Sequence, residues 1–405
     1  MALTYIGDIS SENLVGTDAC SDSNNLYACF SGTNAAFESY SWNGLALNYR
    51  STLSSASIPT GVTLINSSSA VLSYGATRNT FVNLSNGWAS DITTNALSSY
   101  TTNVGANGQQ IAGNKATGYA LQTTSTAGKV NLLNASNQSI TTLSPTGLTS
   151  YNSVCVVTKA DSSTWLVGTS NATIIEVDIN GNTLSTITIP TTNNVGSTPT
   201  VYVTGLSYYN GILVAATERG FIYTYKYASK TLLNIIPSVE GTNTAGVTLC
   251  PSASGFALVA NKSTSGAACT VELFFNYAGL QVCSSFFHEF SVVTASVGIE
   301  PTVNKAYAVF TTTGSGTSLF QPHIRIFNMY TNPVNVNTRT QYPIGTDVSP
   351  RIIRYRFEGN TGLVESDQNV SSGIQPVIAT DNHNYSEVTI FNSSGNQIDF
   401  RGFST

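Results

Sequence analysis

Charge is what this sequence has least of. Asp, Glu, Lys and Arg make up 9% of its 405 residues, about a third of the share usual in soluble domains. The 16 Lys and Arg are scattered and the formal net charge is −5. No basic stripe exists to neutralise phosphates, which argues against nucleic acid binding, and no acidic run marks a solvating tail. Histidine is almost missing: His288, His323 and His383 stand far apart, without metal-binding spacing. The six cysteines, at 20, 29, 155, 250, 269 and 283, form no CxxC pair, which excludes the usual zinc and redox motifs. Cys269 and Cys283 could face each other across a hairpin, but free buried thiols are the expectation, since nothing marks export to an oxidising compartment. No apolar run approaches the roughly 20 residues of a membrane helix. The opening MALTYIGDISSENL lacks the basic and apolar regions of a secretory signal. The expectation is a soluble chain made in a cytosol.

Apolar residues are plentiful, at 41%, with 17 Phe and 20 Tyr, so a large core can form. Ser, Thr, Asn and Gly take the place of charge on the polar side. Such a surface suits tight turns and extended strands, and it packs against neighbours without charge desolvation.

Helical periodicity is missing over any long stretch, and short alternating segments punctuated by Gly, Asn and Ser run from end to end. One pattern recurs: a strand of alternating apolar residues, a polar turn, then a second strand. It reads FESYSWNGLALNY from Phe37, TFVNLSNGWAS from Thr80, VNLLNASNQSITTL from Val130 and IIEVDINGNTLSTITI from Ile174. Further copies are IYTYKYASKTLLNII from Ile222, VELFFNYAGLQV from Val271, IRIFNMYTNPVNV from Ile324 and VTIFNSSGNQIDF from Val388. Their spacing is about 43 to 53 residues, widening to about 64 at the end, close to the period of a four-stranded propeller blade. An apolar strand precedes most copies: TWLVGTS at Thr164, ILVAATE at Ile212, GFALVAN at Gly255, KAYAVFT at Lys305 and PVIATD at Pro376. Asn43-Gly44, Asn86-Gly87 and Asn180-Gly181 fall at hairpin tips, where type I′ turns are expected.

Over nearly its whole length the sequence thus resembles β-propeller repeats, in architecture but without one family's signature; the Gly-His and Trp-Asp dipeptides of WD40 blades are missing. The resemblance implies one all-β domain over residues 1–405, a closed propeller of four-stranded antiparallel blades. Eight blades are expected; seven blades plus an extra hairpin, and a tandem of β-sandwiches, are the competing arrangements. The N-terminal strand (about residues 1–7) and the C-terminal strand (about 397–403) are expected to meet in one sheet and close the ring.

Chemistry-bearing motifs are sparse. In PRIIRYRFE, Arg354, Arg356 and Glu358 alternate along a strand and share one face, with Arg351 just ahead. These arginines are the candidate anion- or partner-binding residues, against the plainer reading of a salt-bridged, solvent-facing strand. ADSSTWLVG, with Asp161, Thr164 and Trp165, faintly resembles the Asp-box of sialidase-type propellers, but it lacks the box's Gly and occurs once. Glu176 with Asp178, and Glu365 with Asp367, are the nearest approaches to a glycosidase carboxylate pair, and the first pair reads as solvent-exposed. Asp178 to Asn182 reads as a hairpin turn rather than a calcium loop. No catalytic residue, cofactor or metal site is expected.

The composition resembles that of bacteriophage virion proteins: few Lys, abundant Ser, Thr, Asn and Gly, and no leader. It implies a non-enzymatic structural or adsorption component (decoration, fibre-base or tail-knob protein) assembled in the host cytoplasm. Its partners would be other virion proteins and a host surface glycan, met through loops on a rigid ring with exposed Tyr. An extracellular lectin-like propeller and a divergent glycan-active enzyme are the alternatives.

Overall fold

The computed structural model describes residues 2–9, 15–31, 35–52, 59–74, 78–86, 91–96, 110–159, 162–190, 201–217 and 221–237. Beyond these it describes 244–251, 256–263, 270–276, 281–287, 292–312, 324–330, 351–357, 363–364, 368–369, 385–391 and 397–404. Strands dominate, interrupted by three short 3-10 turns among the described residues.

The chain opens with β1 (Ala2–Ile9) and then builds one sheet after another. The first sheet holds β2 (Val15–Ser21), β3 (Asn25–Ser31), β4 (Ala36–Ser41) and β5 (Leu47–Thr52). The second holds β6 (Pro59–Asn66), β7 (Ser69–Tyr74), β8 (Arg78–Asn83) and β9 (Asp91–Ala96). The third holds β10 (Ile111–Asn114), β11 (Tyr119–Thr123), β12 (Val130–Asn134) and β13 (Ser139–Leu143). The fourth holds β14 (Ser153–Lys159), β15 (Thr164–Thr169), β16 (Thr173–Val177) and β17 (Thr183–Thr188). The fifth holds β18 (Val203–Tyr209), β19 (Ile212–Thr217), β20 (Phe221–Lys226) and β21 (Thr231–Pro237). The sixth holds β22 (Thr244–Pro251), β23 (Phe256–Ser263), β24 (Thr270–Asn276) and β25 (Gln281–Phe287). The seventh joins β26 (Val292–Glu300), β27 (Lys305–Thr312) and β28 (Ile324–Tyr330) to β1. The eighth centres on β29 (Arg351–Phe357), with the two-residue β30 (Leu363–Val364) and β31 (Gln368–Asn369), β32 (Tyr385–Phe391) and β33 (Gln397–Ser404). All pairings are antiparallel.

The recurrent hairpins are the third and fourth strands of these sheets, and the strands TWLVGTS, ILVAATE, GFALVAN and KAYAVFT are the second. A second strand has neighbours on both sides and is covered on both faces, so it carries little but apolar and small residues; all six residues of β15 are buried. Fourth strands stand at an open edge, and β17 alternates towards solvent. The segment PVIATD lies outside the described residues.

Two expectations need correction. The terminal strands do not meet: β1 runs antiparallel to β28, from Ala2 opposite Tyr330 to Ile9 opposite Ile324, whereas β33 pairs with β32. The physical reason is an open edge. β28 ends a three-strand meander, and a sheet edge needs a partner for its row of N–H and C=O groups. The N-terminal strand supplies it. The partner expected at PVNV, within 331–350, lies outside the described residues. The second correction concerns turns. Gly44 and Gly181 have positive φ, as a hairpin tip requires, but Asn43 and Asn180 do not, so neither of these two Asn-Gly pairs forms a type I′ turn; Gly87 of the third, Asn86-Gly87, lies outside the described residues. At Asn180-Gly181 the Asp178 carboxylate instead accepts the N–H groups of Asn180 and Asn182, at 2.9 and 2.8 Å, an Asx-type turn.

Apolar side chains fill the space between successive sheets. Tyr27, Cys29 and Phe37 of the first sheet pack with Val62, Leu64 and Leu72 of the second. Equivalent clusters join the second to the third, the third to the fourth and the fourth to the fifth. One further cluster joins the first sheet to the seventh: Leu26, Ala28, Phe30 and Tyr40 lie with Ile9, Tyr307, Val309, Ile324 and Ile326. Between first strands, β2 touches β6 and β26, and the contacts run on through β10, β14, β18 and β22.

The first six sheets are simple meanders, so their turns divide between two sides. Short hairpin turns, such as Asn210–Gly211, leave from one side. The connections from second to third strands and from sheet to sheet leave from the other, including the longer 144–152. On that second side most first strands carry a β-bulge, which leaves Thr17, Thr60, Val154, Thr204, Ala245 and Val293 without a Cα partner. A bulge adds twist and re-aims the chain, here where each connection enters its sheet.

Candidate functional site

Two tyrosines stand out on the long-connection side. Tyr151 and Tyr202 are 38% and 41% exposed, whereas Trp42 and Trp165 are buried. Each lies just before a first strand, Tyr151 before β14 and Tyr202 before β18. Both are tied to the turn 170–172 between β15 and β16. Asn152 N–H donates to Ser170 Oγ at 3.1 Å, and Ser170 N–H returns a bond to Asn152 C=O at 3.0 Å. On the other flank Ala172 N–H donates to Val201 C=O at 2.6 Å, and Ala172 C=O accepts from Ile189 N–H at 2.7 Å. Tyr151 is further held by Gly128 N–H on its carbonyl and by its own N–H on Leu148 C=O. The half-buried Asn171 lies between the two flanks. The arrangement is a pair of exposed aromatic rings on a hydrogen-bonded backbone, suited to stacking against a partner. Sequence reasoning anticipated exposed tyrosines without locating them; isolated aromatics in loops read the same as core ones until burial is known.

A second constellation lies on the short-turn side, between the fourth and fifth sheets. Glu176 is only 8% exposed, against the expectation of a solvent-facing carboxylate. It accepts hydrogen bonds from Thr164 and from Tyr227, both at 2.6 Å, and Lys159 Nζ lies 3.2 Å away. The Lys159 ammonium also sits 5.2 and 5.7 Å from the ring centroids of Tyr227 and Tyr208. Burial pushes the Glu176 carboxyl up, but the bonds from Thr164, Tyr227 and Lys159, with the Lys159 charge, bring it below its ordinary value. Burial and the bond to Glu176 raise the Tyr227 hydroxyl, which stays protonated and donates. An ionised carboxylate held by three donors is a structural tie and a poor general acid or base. A comparable tie holds Glu38, with Tyr40 and with Arg50 at 3.4 Å.

The remaining expected residues are dispersed. In β29, Arg351, Arg354 and Arg356 stand opposite Phe391, Thr389 and Glu387, alternate residues of β32. A register shift at Ile353 puts all three arginine positions on one face of the sheet, where strict alternation would have set Arg351 apart. Glu358, Asp161, Glu365, Asp367, Cys269 and all three histidines lie outside the described residues. Cys283 is registered against Phe274. Trp165 of the Asp-box-like segment is a core residue whose indole N–H donates to Ala112 C=O in the third sheet at 2.9 Å. Among the described residues no group of three or more His, Cys, Asp or Glu could hold a metal ion, and no helix is long and apolar enough to cross a membrane.

No protein-family model matches the sequence, and no curated protein matches it.

Proposed function

We propose that this chain is a non-enzymatic binding protein, a structural or adsorption component of a phage-like virion that meets its partner through the long-connection side. The scaffold in this reading is a closed propeller of seven blades, with the eighth sheet outside the ring. Its support is the circular order of contacts among β2, β6, β10, β14, β18, β22 and β26, with β26 returning to β2. The apolar cluster shared by the first and seventh sheets agrees with it, and the eighth sheet meets the others through β33 beside β25.

The observation that carries the functional reading is the pair Tyr151 and Tyr202, exposed on adjacent sheets and braced by one turn. Rigid sheets with binding residues on their longer connections are a common division of labour. The weakly charged, hydroxyl- and amide-rich composition supports a place in an assembly, because such surfaces pack closely without stripping water from charges. The test is mass spectrometry of density-gradient-purified particles from the source culture, with copy number set against a major capsid protein. Co-banding at a fixed ratio is expected. Free protein in the medium and none in particles would overturn the virion assignment and favour the lectin-like alternative.

A further inference from the structure

We infer that Tyr151, Asn171 and Tyr202 form a binding site for a neutral saccharide. The inference rests on the reading of the long-connection side as the binding side and names the ligand class it takes.

Three observations carry it. The first is the presence of two rings on one brace. Residues 152, 170–172 and 201 are joined by the hydrogen bonds already described, so the backbone that carries the two tyrosines is held without a ligand present, which lowers the ordering cost of binding. Sugar rings offer C–H faces that stack on tyrosine, while their hydroxyls seek amides and other hydroxyls.

The second observation is the lack of charge. The described residues of these segments, 144–152, 170–172 and 201–202, contain no Asp, Glu, Lys, Arg or His. Thr149 and Ser150, both exposed, and Asn152 supply uncharged donors and acceptors beside Tyr151. Lys129 of the third sheet has its ammonium 2.6 Å from Ser144 Oγ. An acidic sugar or a phosphate would call for a guanidinium or ammonium facing the rings, and Glu218 and Arg219 of the neighbouring connection lie outside the described residues. The third observation is where aliphatic exposure falls. Leu47, Ile179, Leu184 and Leu233 are exposed, but they belong to third-to-fourth-strand hairpins at the short-turn end. A protein partner seeking an apolar centre has its surface there, away from the tyrosines.

The experiment uses the full chain on an array carrying neutral hexose and N-acetylhexosamine oligosaccharides beside sialylated and sulfated ones, followed by calorimetric titration of any oligosaccharide bound. The expected result is binding to neutral oligosaccharides. Tyr151→Ala and Tyr202→Ala each weaken it about five-fold and together abolish measurable binding. Tyr202→Phe, which keeps the ring, retains most of it, and Arg354→Ala with Arg356→Ala leaves it unchanged. Urea midpoints equal to the parent's establish that the variants fold. Neutral binding indifferent to both tyrosines would overturn the site. Binding confined to acidic glycans would overturn the ligand class while leaving a glycan-binding protein. No glycan binding by a chain that still bands with particles would overturn the inference and leave the virion reading standing; no glycan binding and no co-banding would remove both.

Discussion

The Tyr227 hydroxyl donates to Glu176 across the boundary between the fifth and fourth sheets, at 2.6 Å. The same carboxylate holds Lys159 and Thr164 of its own sheet, so one group ties two sheets together. Removing Glu176 as Glu176→Ala leaves the Lys159 ammonium, with 16% of its side chain exposed, largely buried without its counter-ion. The expected loss is about 3 kcal/mol, towards the lower end for broken buried pairs because Lys159 reaches some water. Tyr227→Phe removes one hydrogen bond to a charged group and is expected to cost about 1.5–2 kcal/mol. Urea denaturation of the two variants, followed by the double variant, measures both. Strict additivity in the double variant would show that the two residues are not coupled.

The direction of the Glu176 shift sets its pH dependence. The carboxyl is held below its ordinary value of 4.5 in the folded chain, so unfolding raises its proton affinity. The stabilisation is complete above the unfolded value and is lost as pH falls through the folded one. Asp178, raised by burial but brought below its ordinary 3.8 by the combined hydrogen bonds from Asn182 and Asn180, acts in the same direction. Urea midpoints recorded from about pH 7 down to about pH 3 should fall for the parent chain, and fall less steeply for Glu176→Gln. Parallel curves would mean that Glu176 titrates alike in both states.

How Glu176 escaped the sequence reading shows what alternation can and cannot convey. In IIEVDINGNTLSTITI the parity of Glu176 and Asp178 suggests one exposed face. The covering group, Tyr227, comes from another sheet 51 residues away, so nothing in the hairpin's own alternation marks it. The local hairpins were legible because each is specified by its own apolar alternation and turn: the copies from Phe37, Val130, Ile174 and Ile222 are strand pairs as read. What the copy from Ile324 did not reveal is that its edge partner is β1, because pairing across the chain leaves no local signature. For Arg351, the extra residue at Ile353 changed which positions share a face, which strict alternation does not show.

Two glycines separate close packing from turn strain. Gly113 N–H donates to Thr63 Oγ1 in the second sheet, and its carbonyl accepts from Thr158 Oγ1 in the fourth, both at 2.8 Å. A Cβ at Gly113 would stand 2.0 Å from the Leu64 carbonyl oxygen, and backbone cannot step aside as a flexible side chain can. Gly113→Ala is therefore expected to cost about 3 kcal/mol or more by forcing the two sheets apart. Gly44 has φ +76° and open space around its Cβ position, so Gly44→Ala meets only left-handed backbone strain, about 1 kcal/mol. Comparison of the two urea midpoints checks the order. Equal losses would mean that the second and third sheets are not in close contact at Gly113.

The pairing of β1 with β28 makes the N-terminus a structural element. Ile9 packs in one cluster with Ile324 and Ile326, all three buried, and β1 covers the edge that β28 otherwise leaves open. Deleting residues 1–9 exposes both the apolar cluster and a row of unpaired backbone groups. Such an edge pairs with whatever strand it meets. The truncated chain is therefore expected to unfold at lower urea and to associate in a concentration-dependent way, measured by sedimentation velocity. A synthetic peptide of residues 2–9, added in excess, should restore the parent midpoint by mass action, because it binds the folded chain and not the unfolded one. A truncated chain that stays monomeric and as stable as the parent would show that β28 needs no partner, and the N-terminal strand would lose its place in the seventh sheet.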